Sequence, residues 1–239
     1  MIKPLKIIGL VSVSLLICIA IVWYNTVPKQ LTVRFYPFLG NKPLVLNNAK
    51  YPNPGGEGEF TIRDFQFFIS NLELTNNRNN YKEQESYHLA RFDVGKAYYE
   101  ITISEISVSN FQQLVFNIGI DRKANGTIVI AGDLDPNSRM AWNWQVGYKF
   151  LLLEGSLFTQ EQQQPLVYHI GFNESYTRLN FPLNSNTVSN DGIIKLKVDI
   201  LTLFNQAELI DMNEIPNVKF DPEDVAKIAN GFKHFISIL

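Results

Sequence analysis

From Leu31 onward, apolar side chains recur at every second position in short runs, each closed by Gly, Pro, Asn or Asp. A period of two sends successive side chains to opposite faces of an extended chain, so these runs specify half-buried strands and not helices. In the first run, residues 31–38, the alternating positions are Leu31, Val33 and Phe35. The stretch Tyr51-Pro-Asn-Pro-Gly-Gly-Glu-Gly58 that follows is a loop, because Pro and clustered Gly break a strand ladder. Run 60–74 keeps Phe65, Phe67 and Ile69 in one phase and Leu72 and Leu74 in the other, and the slip near Ser70-Asn71 predicts a bulge or corner. Polar residues 75–86 form a solvated loop, and further strands are expected at 87–92, 98–106, 110–118, 127–131, 148–153, 167–172, 178–181 and 193–203. Strands at this spacing make a sandwich or barrel, and the expectation is an all-β, antiparallel β-sandwich of about nine or ten strands. The end of the chain changes period. Asp221-Pro222-Glu223-Asp224 supplies an N-cap, a Pro at the first helical position and acids at the positive end of the helix dipole. Val225, Ile228, Phe232, Phe235 and Leu239 then recur at helical spacing, predicting a C-terminal amphipathic α-helix packed on the sandwich, with His234 off its apolar stripe.

The other end is of a different kind. Lys3 and Lys6 precede residues 7–23, seventeen positions without a charge, which is the pattern of a signal peptide or an N-terminal membrane anchor. The lysines keep the start of the chain on the cytoplasmic side, so everything after residue 24 is expected outside, in the periplasm or beyond. Cys18-Ile19-Ala20 offers a small-x-small cleavage site, and seventeen apolar residues also approach the length that crosses a bilayer, so removal and retention both stay open. Bulky Ile17 before Cys18 argues against a lipoprotein anchor. Residues 1–24 are thus the export segment, 25–30 a short tether and 31–239 one domain. The export segment holds two of the 21 basic residues and none of the 23 acidic ones, leaving 19 against 23 and a net charge of −4. No basic patch points to nucleic acid. The one cysteine is Cys18, so the exported part has neither disulfide nor thiolate, and its stability must come from packing.

Enzyme signatures are missing. The chain has no Gly-x-Ser-x-Gly elbow, no phosphate-cradling Gly loop, no His-Glu-x-x-His and no Cys/His cluster. Its three histidines, His88, His169 and His234, have no Ser or Asp pattern around them that suggests a triad. A binding protein is therefore expected, and not an enzyme. Asp133-Leu-Asp135-Pro-Asn-Ser138 is first of all turn chemistry, although Asp133, Asp135 and Asp121 are also the oxygen donors that a calcium site would draw on. On a strand, Met140, Trp142 and Trp144 share one face, which suits a core. An indole is also oxidisable, and Met sulfur and His nitrogen suit Cu(I), so composition leaves both readings open.

One ordered set of residues carries a resemblance. Phe116-Asn-Ile-Gly-Ile-Asp121, Gly132-Asp-Leu-Asp-Pro136, Met140-x-Trp142-x-Trp144-x-x-Gly147-Tyr-Lys-Phe150, Glu154-Gly155 and His169-Ile-Gly171 resemble the MbnP-like family. Phe67-Phe-Ile-Ser-Asn-Leu-Glu-Leu74 and Ala226-Lys-Ile-Ala-Asn230 with Phe235 extend the likeness from Leu31 to the C-terminus. The resemblance implies a periplasmic β-sandwich, in some members binding copper through histidine and a kynurenine. That kynurenine is made from a tryptophan by a partner di-haem enzyme of the cytochrome c peroxidase type. Carried onto this chain, Trp142 or Trp144 is the candidate for oxidation and His169 the candidate copper ligand, with Met140, His88 or a carboxylate to complete the shell. Copper-binding relatives place further histidines near the oxidised tryptophan and before the C-terminal helix. Here those neighbourhoods read Trp142-Asn-Trp144 and Val218-Lys-Phe220-Asp-Pro222. A metal-free protein-interaction or adhesion sandwich of the envelope is the alternative.

Overall fold

The structure, a computed structural model, describes residues 30–127, 130–143 and 147–239. Residues 1–24, expected from sequence to be an export segment, lie outside the described residues, as does Trp144. No helix among the described residues is long and apolar enough to cross a membrane.

The strands in chain order are β1 (Leu31–Leu39), β2 (Lys42–Pro43), β3 (Tyr51–Pro52), β4 (Glu59–Thr75), β5 (Asn80–Lys82), β6 (Tyr87–Phe92), β7 (Tyr99–Ile103) and β8 (Gln113–Ile118). After helix α1 (Arg122–Asn125) come β9 (Ala141–Asn143), β10 (Gly147–Phe158), β11 (Gln163–Gly171), β12 (Thr177–Pro182), β13 (Ile193–Asp199) and β14 (Asn217–Val218). Helix α2 (Pro222–Ala229) and β15 (Ile236–Ile238) end the chain. The smaller sheet runs β15-β13-β1, with β7 and β2 sharing the far edge of β1. In the larger sheet the order is β12-β8-β4-β10-β11-β14, with β3, β5 and β6 also on β4 and β9 on β10. The all-β sandwich is as the alternation requires. Its sheets are mixed, because β1 lies parallel to β13 and β11 parallel to β14.

Strand β4 organises the larger sheet. Its N-terminal half pairs with β10 through Leu151↔Phe67, and its C-terminal half with β8 through Leu74↔Leu114. Between them the register slips at Ser70/Glu73, and Asn71 takes a φ of 52°. This is the bulge expected at Ser70-Asn71, and it keeps Leu72 and Leu74 on the same core face as Phe65, Phe67 and Ile69 although their parity along β4 has changed.

The principal core fills the space between the sheets. Val33 and Phe35 from β1 meet Phe65, Phe67, Phe116, Leu151 and Leu153 from the larger sheet, all with no exposed surface. Phe35 packs edge-on against Phe116 at 5.6 Å, and Phe235 caps Phe67 at 5.1 Å. Truncating one of these rings to Ala removes about 3–5 kcal/mol. A second cluster, of Phe68, Ile120, Ala124, Leu134, Met140, Tyr148, Phe150 and Leu152, covers the opposite face of the larger sheet. Strand β10 is therefore buried on both faces, which is why Phe150-Leu-Leu-Leu153 is a continuous apolar run instead of an alternating one.

Two expectations need correction. Of the strand predicted at 127–131, the described residues Thr127, Ile130 and Ala131 belong to no strand, and Ile130 is 75% exposed. Helix α2 starts as predicted, with Asp221 Oδ1 accepting from the Glu223 and Asp224 amides, but it stops at Ala229. A Cβ on Gly231 would come within 2.6 Å of the Thr202 carbonyl oxygen, so the chain turns there against its neighbour. Ile236–Ile238 then leave as β15, pairing with β13 through Val198↔Ile236. Phe232 and Phe235 are buried and His234 is exposed, as the stripe implied.

Candidate functional site

The segment that carries most of the unusual chemistry lies on the outer face of the larger sheet, over β10 and β11. On β11, His169 and Gly171 stand two residues apart and so share a face, their Cα atoms about 6.6 Å apart. A Cβ on Gly171 would meet Trp142 Cζ3 at 2.6 Å and Cη2 at 2.9 Å, so the indole lies directly over this glycine. The Trp142 ring, carried by β9, consequently lies over the face of β11 that also bears His169, two residues away. Glycine at 171 is what makes room for the ring.

Phe172 and Phe220 pack against Trp142, with ring centroids 5.5 and 5.2 Å away. Phe172 holds a φ of 66°, a conformation that costs a side-chain-bearing residue of order 1–3 kcal/mol. Phe220 is 58% exposed, an aromatic ring left in solvent at the rim. Trp142 Nε1 is buried without a hydrogen-bond partner among the described residues.

The His169 side chain is tied from below. Its Nε2 lies 2.9 Å from Glu154 Oε1, while Glu154 Oε2 accepts from Arg63 Nη2 at 2.7 Å and Arg139 Nη2 at 3.0 Å. Arg139 also bridges to Asp64. Burial depresses the His169 pKa, and the cations of Lys149 and Lys219 push it the same way, outweighing the hydrogen bond to Glu154. His169 is neutral at pH 7 as a result; with Nε2–H donated to Glu154, Nδ1 carries the lone pair. Burial alone would raise Glu154, but the hydrogen bonds from His169 and Arg63 and the Arg139 charge hold its carboxyl below the ordinary range.

Lys149 fixes the segment that presents the tryptophan. Its Nζ donates to the Arg139 carbonyl, its backbone N–H donates to the Met140 carbonyl at 2.7 Å, and only 8% of the residue is exposed. Burial, reinforced by the nearby Arg139 charge, lowers its pKa.

The candidates from sequence separate. Trp142 and His169 come together; Met140 does not join them, being 1% exposed within the Phe68–Phe150 cluster. His88 sits elsewhere on β6, 2.6 Å from Glu83. Asp121, named from sequence as an oxygen donor, caps α1 and accepts from Tyr87 Oη at 2.6 Å, and Asp135 Oδ1 accepts from the Asn137 amide in the turn expected at 133–138. Among the described residues no three His, Cys, Asp or Glu side chains gather as a metal-binding group. Glu154, Lys149, Arg139, Phe172 and Phe220 are the site residues that sequence reasoning missed. Glu154-Gly155 offered one signal: a Cβ on Gly155 would lie 1.9 Å from the Thr61 carbonyl oxygen, so the strand beside Glu154 tolerates no side chain.

These features define a two-sheet β-sandwich with an aromatic-walled tryptophan–histidine pair on its outer face. The MbnP family model matches residues 28–220, and the chain belongs to that family. In fold it is similar to MbnP from Methylosinus trichosporium, with a TM-score of 0.56 and 16% identity over 75% of this chain and 78% of that one. No curated protein matches the sequence.

Proposed function

We propose that this chain is a non-catalytic protein of the cell envelope that handles copper at the Trp142–His169 pair. The observation that carries the reading is the juxtaposition itself: a neutral imidazole whose Nε2 is held by a carboxylate, beside an indole whose Nε1 is buried and unpartnered. A carboxylate-held imidazole is the usual arrangement of a metal-binding histidine. An indole is not a ligand, but the kynurenine formed from it carries an aryl amine and a ketone. Oxidation of Trp142 would open its pyrrole ring between C2 and C3, taking two oxygen atoms from two molecules of peroxide with release of two waters. Hydrolysis would then remove the formyl group as formate. A di-haem peroxidase-type partner is the class of enzyme that would deliver this oxidation, and exposed Phe220 marks the side from which Trp142 is approached. Copper bound here would be held by His169 Nδ1 and the ring-opened Trp142, with Glu154 orienting the imidazole. The uncharged run 7–23 behind Lys3 and Lys6 supports an extracytoplasmic location.

The test takes full-length protein from its native host, maps the mass of the Trp142 peptide, and titrates Cu(I) and Cu(II). The expected result is a gain of one oxygen and loss of one carbon at Trp142, with one copper bound and lost in His169→Ala. An intact indole together with no stoichiometric copper overturns the proposal. A second reading, a metal-free interaction sandwich, is favoured by the Lys149 and Lys219 charges beside His169, which oppose any cation there. Under that reading Phe220 is a contact residue, and Phe220→Ala weakens partner binding while copper is never bound.

A further inference from the structure

At the Leu39 end of β1 an open groove of about 950 Å³ lies between the 39–54 segment and the loop around Leu209. It is separate from the Trp142 face: Phe158 and Lys149 stand at the two ends of β10, about 30 Å apart along the strand. Two of the large apolar residues most exposed to solvent, Val45 at 50% and Leu209 at 56%, line it. Tyr51 Oη accepts from the Val45 amide at 2.9 Å, which fixes the wall in place, so the opening is built and not a gap between loose loops. The charge is one-sided. Lys42 and Lys50 are the charged residues of its lining and no carboxylate is among them, although acids outnumber bases in the whole chain. Lys50 Nζ sits 4.6 Å from the centre of the Phe158 ring, poised at the border between apolar wall and solvent.

An apolar trough with cations at its rim matches a molecule with an apolar tail and an anionic head. The tail gains by leaving water, and the head keeps a counter-charge without meeting a like-charged carboxylate. The volume is in the range of sites that hold ligands of this size. We infer that this groove binds a free long-chain fatty carboxylate, its chain along Leu39, Val45 and Leu209 and its head at Lys42 and Lys50. The occupant proposed is the free monomeric acid, and the same chemistry offered by a bilayer lipid is what the experiment separates from it.

The full chain, held in phosphatidylcholine discs, is irradiated with a diazirine-bearing hexadecanoate, and the labelled peptides are mapped by mass spectrometry. Label is expected within residues 39–54 and 201–209, competed by hexadecanoate but not by hexadecanol or hexadecyltrimethylammonium. Lys42→Gln with Lys50→Gln reduces it several-fold, as does Leu209→Glu, an exposed change that leaves the core intact. Uniform labelling over the surface, or equal competition by the alcohol, overturns the proposal. So does labelling of the groove by photoreactive phosphatidylglycerol in the discs with none by the free acid, which would make it a membrane contact.

Discussion

Gly171→Ala tests the geometry of the tryptophan–histidine pair with a single methyl group. The added Cβ would stand 2.6 Å from Trp142 Cζ3 and 2.8 Å from the Tyr148 carbonyl oxygen. The carbonyl belongs to the β10 backbone and cannot retreat cheaply, so the indole must move, against Phe172 on one side and Phe220 on the other. Gly171 is absent from the positive-φ glycines, so the cost is steric and not conformational. Overpacking of this kind costs about 1–3 kcal/mol. For a chain of this length each kcal/mol lowers Tm by about 2–4 °C, giving a drop of about 2–12 °C. The assay is thermal unfolding together with the emission of Trp142, read alone after Trp23→Phe and Trp144→Phe; a displaced ring shifts its emission as solvent reaches it. Gly126→Ala is the control, because its Cβ would meet the Arg122 carbonyl oxygen at an ordinary 3.4 Å and φ there is −93°. Adding Trp142→Leu to Gly171→Ala should restore part of the lost stability, since the smaller side chain vacates the contact. If Gly171→Ala leaves both Tm and emission unchanged, Trp142 does not lie over Gly171 and the pair with His169 is lost with it.

Further outcomes follow from the groups around the pair. Because the folded state holds His169 below its ordinary pKa, the unfolded chain binds the extra proton first, so stability present at pH 7.5 declines as pH falls through about 6.5 toward the folded value. Urea unfolding at pH 7.5 and 5.5 should show this loss, and His169→Gln should reduce it; an NMR titration placing His169 at or above 6.5 would contradict the reasoning. Glu154 acts in a lower window, its contribution complete above the ordinary carboxylate pKa and lost as pH drops through its depressed folded value. Lys149→Met removes a buried charged donor from the Arg139 carbonyl, which should cost about 1.5–3 kcal/mol. The same substitution should raise the His169 pKa, a readout that a purely structural loss would not move. Asp121→Ala deprives α1 of its cap and strips Tyr87 of its acceptor, and a loss of about 1–2 kcal/mol in chemical denaturation is expected from the cap alone.

The strands could be read from the sequence because most bury one face, and the slip at Ser70-Asn71 because a bulge brings Leu72 and Leu74, of the other parity, onto the same core face as Phe65 and Phe67. Run 150–153 was recognisable as a strand but not as one buried twice, since the layer covering its second face comes from separate elements within residues 120–140. The last turn was misread for a related reason. Phe232 and Phe235 keep helical spacing because a 3-10 turn over Asn230–Lys233 follows α2, but the pairing of Ile236–Ile238 with β13 that ends the helical path is a tertiary contact with no local trace. At the site, Trp142 and His169 could be singled out by residue type, whereas Glu154, Arg139 and Lys149 look like ordinary surface charges until β4, β10 and β11 align. Met140 stood in the same pattern as Trp142, and only the fold shows that its sulfur belongs to an apolar cluster.

The parallel pairing of β1 with β13 sets an order on assembly. Thr32 finds its partner in Ile193, and β15 joins that sheet only at Val198↔Ile236. One edge of β1 can pair with β2 and β7, but the other waits for nearly the whole chain before its ladder with β13 can close. Contacts of such long sequence separation form late. An unpaired strand edge therefore stands open through that interval, and such an edge is a template on which chains pair with one another. A chain truncated before residue 193 would leave that edge of β1 open.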